Sequence, residues 1–286
     1  MNIQWFPGHM TKTQRMMEEN IKLIDIVIEI VDARLPLSSR NPKIDEIAGS
    51  KPRLLLLNKC DIADSDMTER WEKYFVAKGI PTMAISSTGN KKLNFIFNKC
   101  REILADKIER QREKGITNRA IKVMIVGVPN VGKSSLINKL SGRKSAITGD
   151  RPGVTKGKQW IRLDNGIEML DTPGILWPKF EDVEVGKKLA FTGAIKDEIM
   201  DIEELACHLL VFFRDNYPER LTERYKMTDF EDMEPYDMLT LLGKKRGFVV
   251  SGGEIDTERA AKILLDEFRG ARLGNITLEK PEDFEN

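Results

Sequence analysis

The sequence predicts an α/β protein with a mostly parallel sheet flanked by helices, followed by a helical region after Pro178. The apolar runs of the first 178 residues are short and nearly continuous, which is typical of parallel strands that are buried on both faces. Helical patterns lie between these runs. After Pro178, apolar residues recur at helical spacing. We therefore expect two domains, residues 1–178 and residues 179–286.

The predicted strands are each followed by a polar or glycine-containing motif or a turn. In chain order they cover residues 25–31, 53–57, 81–85, 120–126, 159–163 and 167–170. The last two form a pair, because Asp164-Asn165-Gly166 between them is a turn signal. We expect helices at residues 42–48, 68–78, 93–113, 133–140, 185–192, 202–216, 236–242 and 257–268, and fraying from Glu279 onwards.

Composition is typical of a globular protein: 41% of the 286 residues are hydrophobic and 32% are charged. No apolar run approaches the roughly 18 residues of a membrane span, and the N-terminus has no apolar signal core. The three cysteines are isolated, which fits buried thiols in a reducing compartment. We expect a cytoplasmic monomer without a membrane partner.

The net charge of +1 conceals an asymmetry between the two parts of the chain. Residues 1–178 carry a net charge of +10, whereas residues 179–286 carry −9. A basic first part suits a polyanionic partner such as RNA. The alternatives are that this charge serves nucleotide phosphates or forms an ordinary solvated surface.

A phosphate-binding loop is predicted where Gly127-x4-Gly132-Lys133-Ser134 follows a strand and opens a helix. Backbone N–H groups of such a loop favour phosphate oxygens. Lys133 would act in catalysis at the β- and γ-phosphates, Ser134 would bind Mg²⁺, and Ser135 would bind the α-phosphate. The predicted nucleotide-binding residues of this segment are Asn130, Val131, Gly132, Lys133, Ser134 and Ser135.

A second phosphate motif, Asp171-Thr172-Pro173-Gly174, ends the last predicted strand. Asp171 would hold Mg²⁺ through a water molecule, and the Gly174 N–H would contact the γ-phosphate. Thr155 is the preferred second hydroxyl ligand of Mg²⁺, with Thr148 as the alternative. Loops held in this way are ordered by a nucleoside triphosphate and released after hydrolysis.

The motif Asn58-Lys59-Cys60-Asp61 at a strand end predicts a guanine-specific site. The Asp61 carboxylate would accept from N1 and N2 of guanine, a donor pair that adenine lacks, so ATP would leave buried groups unpaired. Lys59 would lie along the base, and Asn58 would connect this loop to the phosphate loop. Ser86-Ser87 would supply a backbone N–H to guanine O6.

The base-reading motif precedes the phosphate loop, whereas most GTPases have the opposite order. With this order the chain resembles the circularly permuted GTPases, and is most similar to the ribosome biogenesis GTPase A family. The fold that this resemblance implies is a circularly permuted P-loop GTPase domain plus a C-terminal helical domain. The similar stretches are Trp5–Met10, Val31–Arg34, Asn58–Asp61, Gly127–Ser134, Asp171–Pro178 and Gly193–Ile195.

The resemblance implies a GTP hydrolase that uses Mg²⁺ and assists late assembly of the large ribosomal subunit, with a helical domain that binds rRNA or the precursor particle. One alternative is an RNA-binding checkpoint protein in which GTP gates affinity and hydrolysis only times release. A GTPase of tRNA modification or of vesicles is disfavoured, because the sequence has neither a modification domain nor a lipid motif.

The roles expected for two site residues rest on this resemblance. Ile175 stands where many GTPases carry the glutamine that orients water, so the resemblance supports His9 as the catalytic residue. The alternative is a structural or RNA-contacting histidine. Asn130 resembles the residue that holds K⁺ in potassium-stimulated GTPases, where the ion supplies positive charge. The alternative there is a turn-forming asparagine.

Overall fold

The computed structural model describes residues 8–90, 92–117, 119–142, 159–163, 166–176 and 182–284. Backbone contacts divide these residues into two compact units. The nucleotide unit comprises residues 8–176 together with 277–284, and the helical unit comprises residues 182–276. The compact helical unit therefore ends at Ile276 rather than at residue 286, the expected domain end.

A six-stranded mixed sheet forms the centre of the nucleotide unit, with the strand order β3-β2-β1-β4-β6-β5. All neighbouring pairs are parallel except β5 with β6. The carboxyl ends of five strands therefore meet at one edge. The strands are β1 Ile26–Asp32, β2 Arg53–Asn58, β3 Thr82–Ile85, β4 Ile121–Val126, β5 Gln159–Leu163 and β6 Ile167–Asp171, which confirms all six predicted strands.

Helices cover both faces of this sheet, since every residue of β1 is buried. The helices of this unit are α1 Gly8–Asn20, α2 Pro42–Ala48, α3 Ser65–Ala77, α4 Phe95–Ile103, α5 Ala105–Glu113 and α6 Lys133–Ser141. The prediction of one helix over residues 93–113 is wrong, because the chain turns at Leu104 (φ −97°, ψ 8°). The turn lies where α4, which buries Ile96, Phe97 and Cys100, gives way to α5, which has no buried residue.

The helical unit contains α7 Val183–Phe191, α8 Ile202–Asn216, α9 Pro218–Tyr225, α10 Pro235–Lys245 and α11 Thr257–Arg269. Helix α8 packs against α10 and α11, and the Phe213 and Phe268 rings meet edge to face at 6.1 Å. Helix α8 buries Leu205, Leu209 and Phe213 in the core of this unit. Helix α9 was not predicted because it is short and half of its residues are charged. Among the helices of the described segments, none has the length and apolarity to cross a bilayer.

The last described residues, 277–284, form a strap on the nucleotide unit, which we call the C-terminal strap. The Trp71 indole donates to the Glu279 carbonyl (3.1 Å), and the Phe284 ring lies 5.9 Å from the Trp71 ring. Glu279 is only 1% exposed. The expected fraying from Glu279 onwards is wrong for these residues, because both the apolar and the acidic side chains of the strap find partners.

Candidate functional site

The predicted base-reading and phosphate motifs meet at the carboxyl edge of the sheet. Asn58 ends β2, Gly127 follows β4 and Asp171 ends β6. These strands run in the same direction. Motifs that are far apart along the chain are therefore brought to a single site.

The phosphate loop has the backbone shape expected for binding an anion. Gly132 has φ 93°, and a Cβ at this position would lie 2.3 Å from Asn58 Nδ2, so only glycine fits. Asn130 also has a positive φ, of 60°. Helix α6 begins directly after this loop, at Lys133, so its N-terminal N–H groups face the same side as the loop amides.

Asn58 joins the base-reading loop to the phosphate loop, as the sequence predicts. Its side chain is fully buried. Nδ2 donates to the Val131 carbonyl (2.6 Å) and to Ser87 Oγ (3.1 Å), and Oδ1 accepts from the Ser87 N–H (2.9 Å). One side chain thus holds together three loops that follow three different strands.

The side chains of the base-reading motif have contrasting surroundings. Asp61 is exposed, as a residue that meets a ligand from solvent requires. The Cys60 N–H donates to the Ile85 carbonyl (3.2 Å), which keeps this loop beside Ser86. Lys59 has φ 64°, and its Nζ lies 2.9 Å from Asp32 Oδ2.

Asp32 is a buried anion behind the base-reading loop, and sequence reasoning assigned it no role. The Arg34 guanidinium donates to both of its oxygens (2.9 and 2.7 Å). Burial alone would raise the pKa of Asp32, but the Arg34 and Lys59 cations hold it well below its usual value. The only sequence signal was the position of Asp32-Ala33-Arg34 at a strand end.

Lys139 is a second residue that the sequence did not reveal. It lies on α6, which follows the phosphate loop, and its Nζ donates to the carbonyls of Ser86 (3.2 Å) and Gly89. The Ser86-Ser87 segment is therefore held from the phosphate-loop side as well. A lone lysine on a helix carries no pattern that predicts such a contact.

Lys133 lies inside the phosphate loop and is 7% exposed. Its Nζ donates to the carbonyls of Gly127 (3.1 Å) and Val128 (3.2 Å). Burial lowers the pKa of Lys133 to about 8, and the nearby Asp171 carboxylate only partly opposes this effect. A phosphate anion would favour the charged form of this lysine.

Asp171 has the properties of a cation ligand. It is 1% exposed, and burial raises its pKa to about 6 although Lys133 opposes the shift. Its Oδ1 has no hydrogen-bond partner among the described residues. A buried carboxylate oxygen of this kind suits Mg²⁺ or a magnesium-bound water. Thr155 and Thr148, the expected hydroxyl ligands, lie outside the described residues.

Gly174 lies against the phosphate loop, since a Cβ there would be 2.8 Å from Lys133 Nζ. The next residue, Ile175, donates its N–H to the Gly127 carbonyl (3.3 Å) and is buried. The Leu176 N–H in turn points to Met10 Sδ (3.5 Å) on α1. His9 lies beside Met10 in α1, but its side chain is outside the described part of the structure.

Comparisons with known proteins agree with this geometry. A family model described as a 50S ribosome-binding GTPase matches residues 122–245. Ribosome biogenesis GTPase A from Bacillus licheniformis is 50% identical over 99% of this chain and 100% of its own length. Solved structures of GDP-bound TM YlqF and of GNP-bound YlqF from T. maritima are each 28% identical. Their TM-scores are 0.67 and 0.63, and the matches cover 94% and 95% of this chain and 100% and 99% of those chains.

The family model begins within β4, just before the phosphate loop, and leaves out Asn58–Asp61. The base-reading loop nevertheless contacts the phosphate loop through Asn58 and Val131. These two loops therefore meet although they occur in a different chain order. This chain belongs to the ribosome biogenesis GTPase A family, and it is a GTP hydrolase with a circularly permuted P-loop domain.

Proposed function

We propose that this protein hydrolyses GTP to GDP and phosphate in the cytoplasm and thereby assists late assembly of the large ribosomal subunit. The observation that carries the proposal is the side chain of Asn58, which joins base-reading and phosphate loops into one site. The names of the relatives support the ribosomal role, since the family model is described as 50S ribosome-binding.

The protein side of the proposed reaction consists of positioning and charge stabilisation. Asp61 selects guanine, with Lys59 along the base and Ser86-Ser87 at O6. The phosphate-loop amides and Lys133 hold the phosphates in line for attack by water. Ser135 binds the α-phosphate, and the Gly174 N–H contacts the γ-phosphate.

Ser134, Thr155 and Asp171 would hold Mg²⁺, the last through a water molecule. The Oδ1 of Asp171, which has no hydrogen-bond partner within the described part of the chain, supports this assignment. The bound ion would neutralise charge on the phosphate oxygens. Burial shifts the pKa of Asp171 upwards and the pKa of Lys133 downwards, so a bound cation and bound phosphates would favour the charged forms of these two groups.

We assign to His9 the orientation of the attacking water. Ile175 is buried and its side chain cannot form a hydrogen bond. The next residue, Leu176, contacts Met10, which is the neighbour of His9 in sequence. His9→Ala is expected to lower ribosome-stimulated turnover and to leave nucleotide affinity unchanged. His208→Ala is the matched control, because His208 lies on α8 of the helical unit. Full stimulated turnover in His9→Ala would refute the assignment.

We also assign a potassium ion to Asn130. The positive φ of this residue turns its backbone within the phosphate loop, a position close to the expected phosphates. Replacing K⁺ by Na⁺ at constant ionic strength should slow hydrolysis. Equal rates in the two salts would remove this assignment.

The rRNA partner is supported by a cleft of about 390 Å³ at the amino edge of the sheet, opposite the nucleotide motifs. Its charged lining consists of four cations and one carboxylate, namely Arg101, Lys107, Arg112, Arg119 and Asp25. Lys107 and Arg119 pair with Asp25, so the lining keeps an excess of positive charge, which attracts a polyanion. In the helical unit, Lys244 and Lys245 are exposed, whereas Arg246 contacts Glu267.

The deciding experiment separates an assembly enzyme from a GTP-gated checkpoint. Cells would produce only a Lys133 variant that is shown to bind GTP and not to hydrolyse it. Lys73→Ala is the control, because Lys73 is 72% exposed on α3. Accumulation of large subunits that stay immature supports the assembly enzyme. Large subunits that mature normally but retain the bound variant would refute the enzyme and favour the checkpoint, in which hydrolysis only times release.

A further inference from the structure

A buried chain of contacts connects the C-terminal strap to the base-reading loop. It begins at Glu279, whose carboxylate accepts from the N–H groups of Leu37 (2.9 Å) and Ser38 (3.2 Å). The Ser38 hydroxyl donates to the same carboxylate. A segment more than 200 residues away in sequence thus holds the loop that follows β1.

The chain continues through Arg34 to Asp32. The Leu278 N–H donates to the Arg34 carbonyl (2.6 Å), and the Arg34 guanidinium grips Asp32. Asp32 in turn lies 2.9 Å from Lys59 Nζ. Arg34 and Asp32 are each only 2% exposed, so water does not compete strongly for these contacts.

The strap also touches the other side of the base-reading loop. The Asp64 N–H donates to Thr277 Oγ1 (3.1 Å), and the Asp64 carboxylate caps α3 through the Met67 N–H (2.8 Å). Asp64 follows Asp61 by three residues. Both the loop after β1 and the loop after β2 are therefore fastened to the same terminal segment.

A lysine that is to lie along a base gains from being held there in advance. Its long side chain has many rotamers, and binding must otherwise pay for ordering it. The buried Asp32 carboxylate restricts Lys59 to one direction, while Arg34 keeps this carboxylate charged and oriented.

We propose that Asp32 is a positioning residue that pre-organises Lys59 for guanine, and that Glu279 of the C-terminal strap holds the Asp32–Arg34 pair in place. Affinity for the base then depends on the last residues of the chain. The inference rests on the proposed role of Lys59 at the base.

A double-mutant cycle on the full-length protein tests the first half of the proposal. Asp32→Asn is expected to raise the Kd for GDP and the KM for GTP about 10-fold with little change in kcat, a size usual for coupled contacting residues. In a Lys59→Ala background, Asp32→Asn should have no further effect. Independent, multiplicative losses would overturn the proposal, and so would a loss in kcat alone.

Glu279→Gln tests the second half of the proposal, because it removes the charge and keeps the size of the buried side chain. We expect a higher Kd for GDP, and we expect this increase to disappear in the Lys59→Ala background. Glu282→Gln is the matched control, because Glu282 of the same strap pairs with Arg70 at the surface and is 52% exposed. Equal effects of the two glutamine variants would overturn the role of Glu279.

Ser38→Ala keeps the proposal testable if Asp32→Asn does not fold. This variant removes one donor to Glu279 and leaves the charges intact, so a small rise in Kd is expected, and no change in Kd would count against the strap. If Lys59→Ala alone leaves the Kd unchanged, the proposed base contact fails. If Lys59→Ala does raise the Kd but the effects of Lys59→Ala and Asp32→Asn multiply, only the positioning role of Asp32 is refuted.

Discussion

Truncating Asn58 to alanine removes three buried hydrogen bonds at once. The Val131 carbonyl and the Ser87 N–H and hydroxyl would lose their partner in a place that water does not reach freely. At about 1 kcal/mol net for each bond, the loss is about 3 kcal/mol. The variant should therefore have a smaller free energy difference between the nucleotide-bound protein and the unfolded chain.

The loss divides between folding and binding. If the ligand-free protein relaxes by letting the two loops separate, its unfolding free energy falls less, but the nucleotide must then bring the loops together. Denaturant unfolding of ligand-free Asn58→Ala and titration with fluorescent GDP measure the two parts. Their sum should be about 3 kcal/mol, which would be roughly a 150-fold weaker Kd if all of it appeared in binding.

Two matched variants sharpen the test. Ser87→Ala removes only the hydroxyl partner and should cost about 1 kcal/mol in the same sum. Asn58→Asp keeps the acceptor for the Ser87 N–H but turns a carboxylate oxygen towards the Val131 carbonyl, so it should cost at least as much as Asn58→Ala. If Asn58→Ala costs no more than Ser87→Ala, the three-bond reasoning is refuted.

Other positions give equally direct expectations. Gly132→Ala would force a Cβ to within 2.3 Å of Asn58 Nδ2 at a φ of 93°, so GDP affinity should fall about 100-fold or more while the protein stays folded; a titration within twofold of wild type would contradict this. Asp61→Asn should weaken GTP binding about 100-fold, since bonds to a charged acceptor are lost, and should reduce the preference over ATP; unchanged competition by ATP would count against the base-reading role. Glu267→Gln should lower the unfolding free energy of the protein by about 3 kcal/mol at pH 7, because Glu267 is 4% exposed and pairs with Arg224 at 2.5 Å. Burial raises the pKa of Glu267, but its bonded partners lower it below the usual value, so its contribution is complete above about pH 4.3 and is lost as the pH falls further. The stability gap between wild type and Glu267→Gln should therefore narrow as the pH falls below about 4.3, and a constant gap in denaturant titrations would contradict this.

The strands and the main motifs could be predicted because their signals are local. A continuous apolar run such as Leu54–Leu57 followed by Asn58 marks a buried parallel strand and the loop after it. Glycine spacing in the phosphate loop similarly reflects backbone demands that are met within a few residues. Even the Asn58 contact with the phosphate loop followed from the motif.

The contacts that the sequence concealed are all non-local. Glu279 belongs to the charged run Glu279–Asp283, which has the composition of a frayed end, yet it is buried against a loop near Ser38. Lys139 contacts Ser86 on another element, and Asp32, beside its local partner Arg34, contacts Lys59 in the loop after β2. The break at Leu104 depends on which helix face finds a core, and periodicity alone does not reveal this.

The new chain order leaves the site unchanged because strand neighbours, and not chain order, decide which loops meet. Strands β2 and β4 both neighbour β1, so Asn58 and Val131 come together although 73 residues separate them. The permuted chain order instead changes where the chain leaves the nucleotide unit and where it returns. The chain leaves the nucleotide unit soon after Gly174 and returns at Thr277. The departing segment contacts the phosphate loop through Ile175, whereas the returning segment contacts the base-reading side through Asp64. The helical unit is thus connected at its start to the motif expected to respond to the γ-phosphate, and at its end to the loop expected to read guanine.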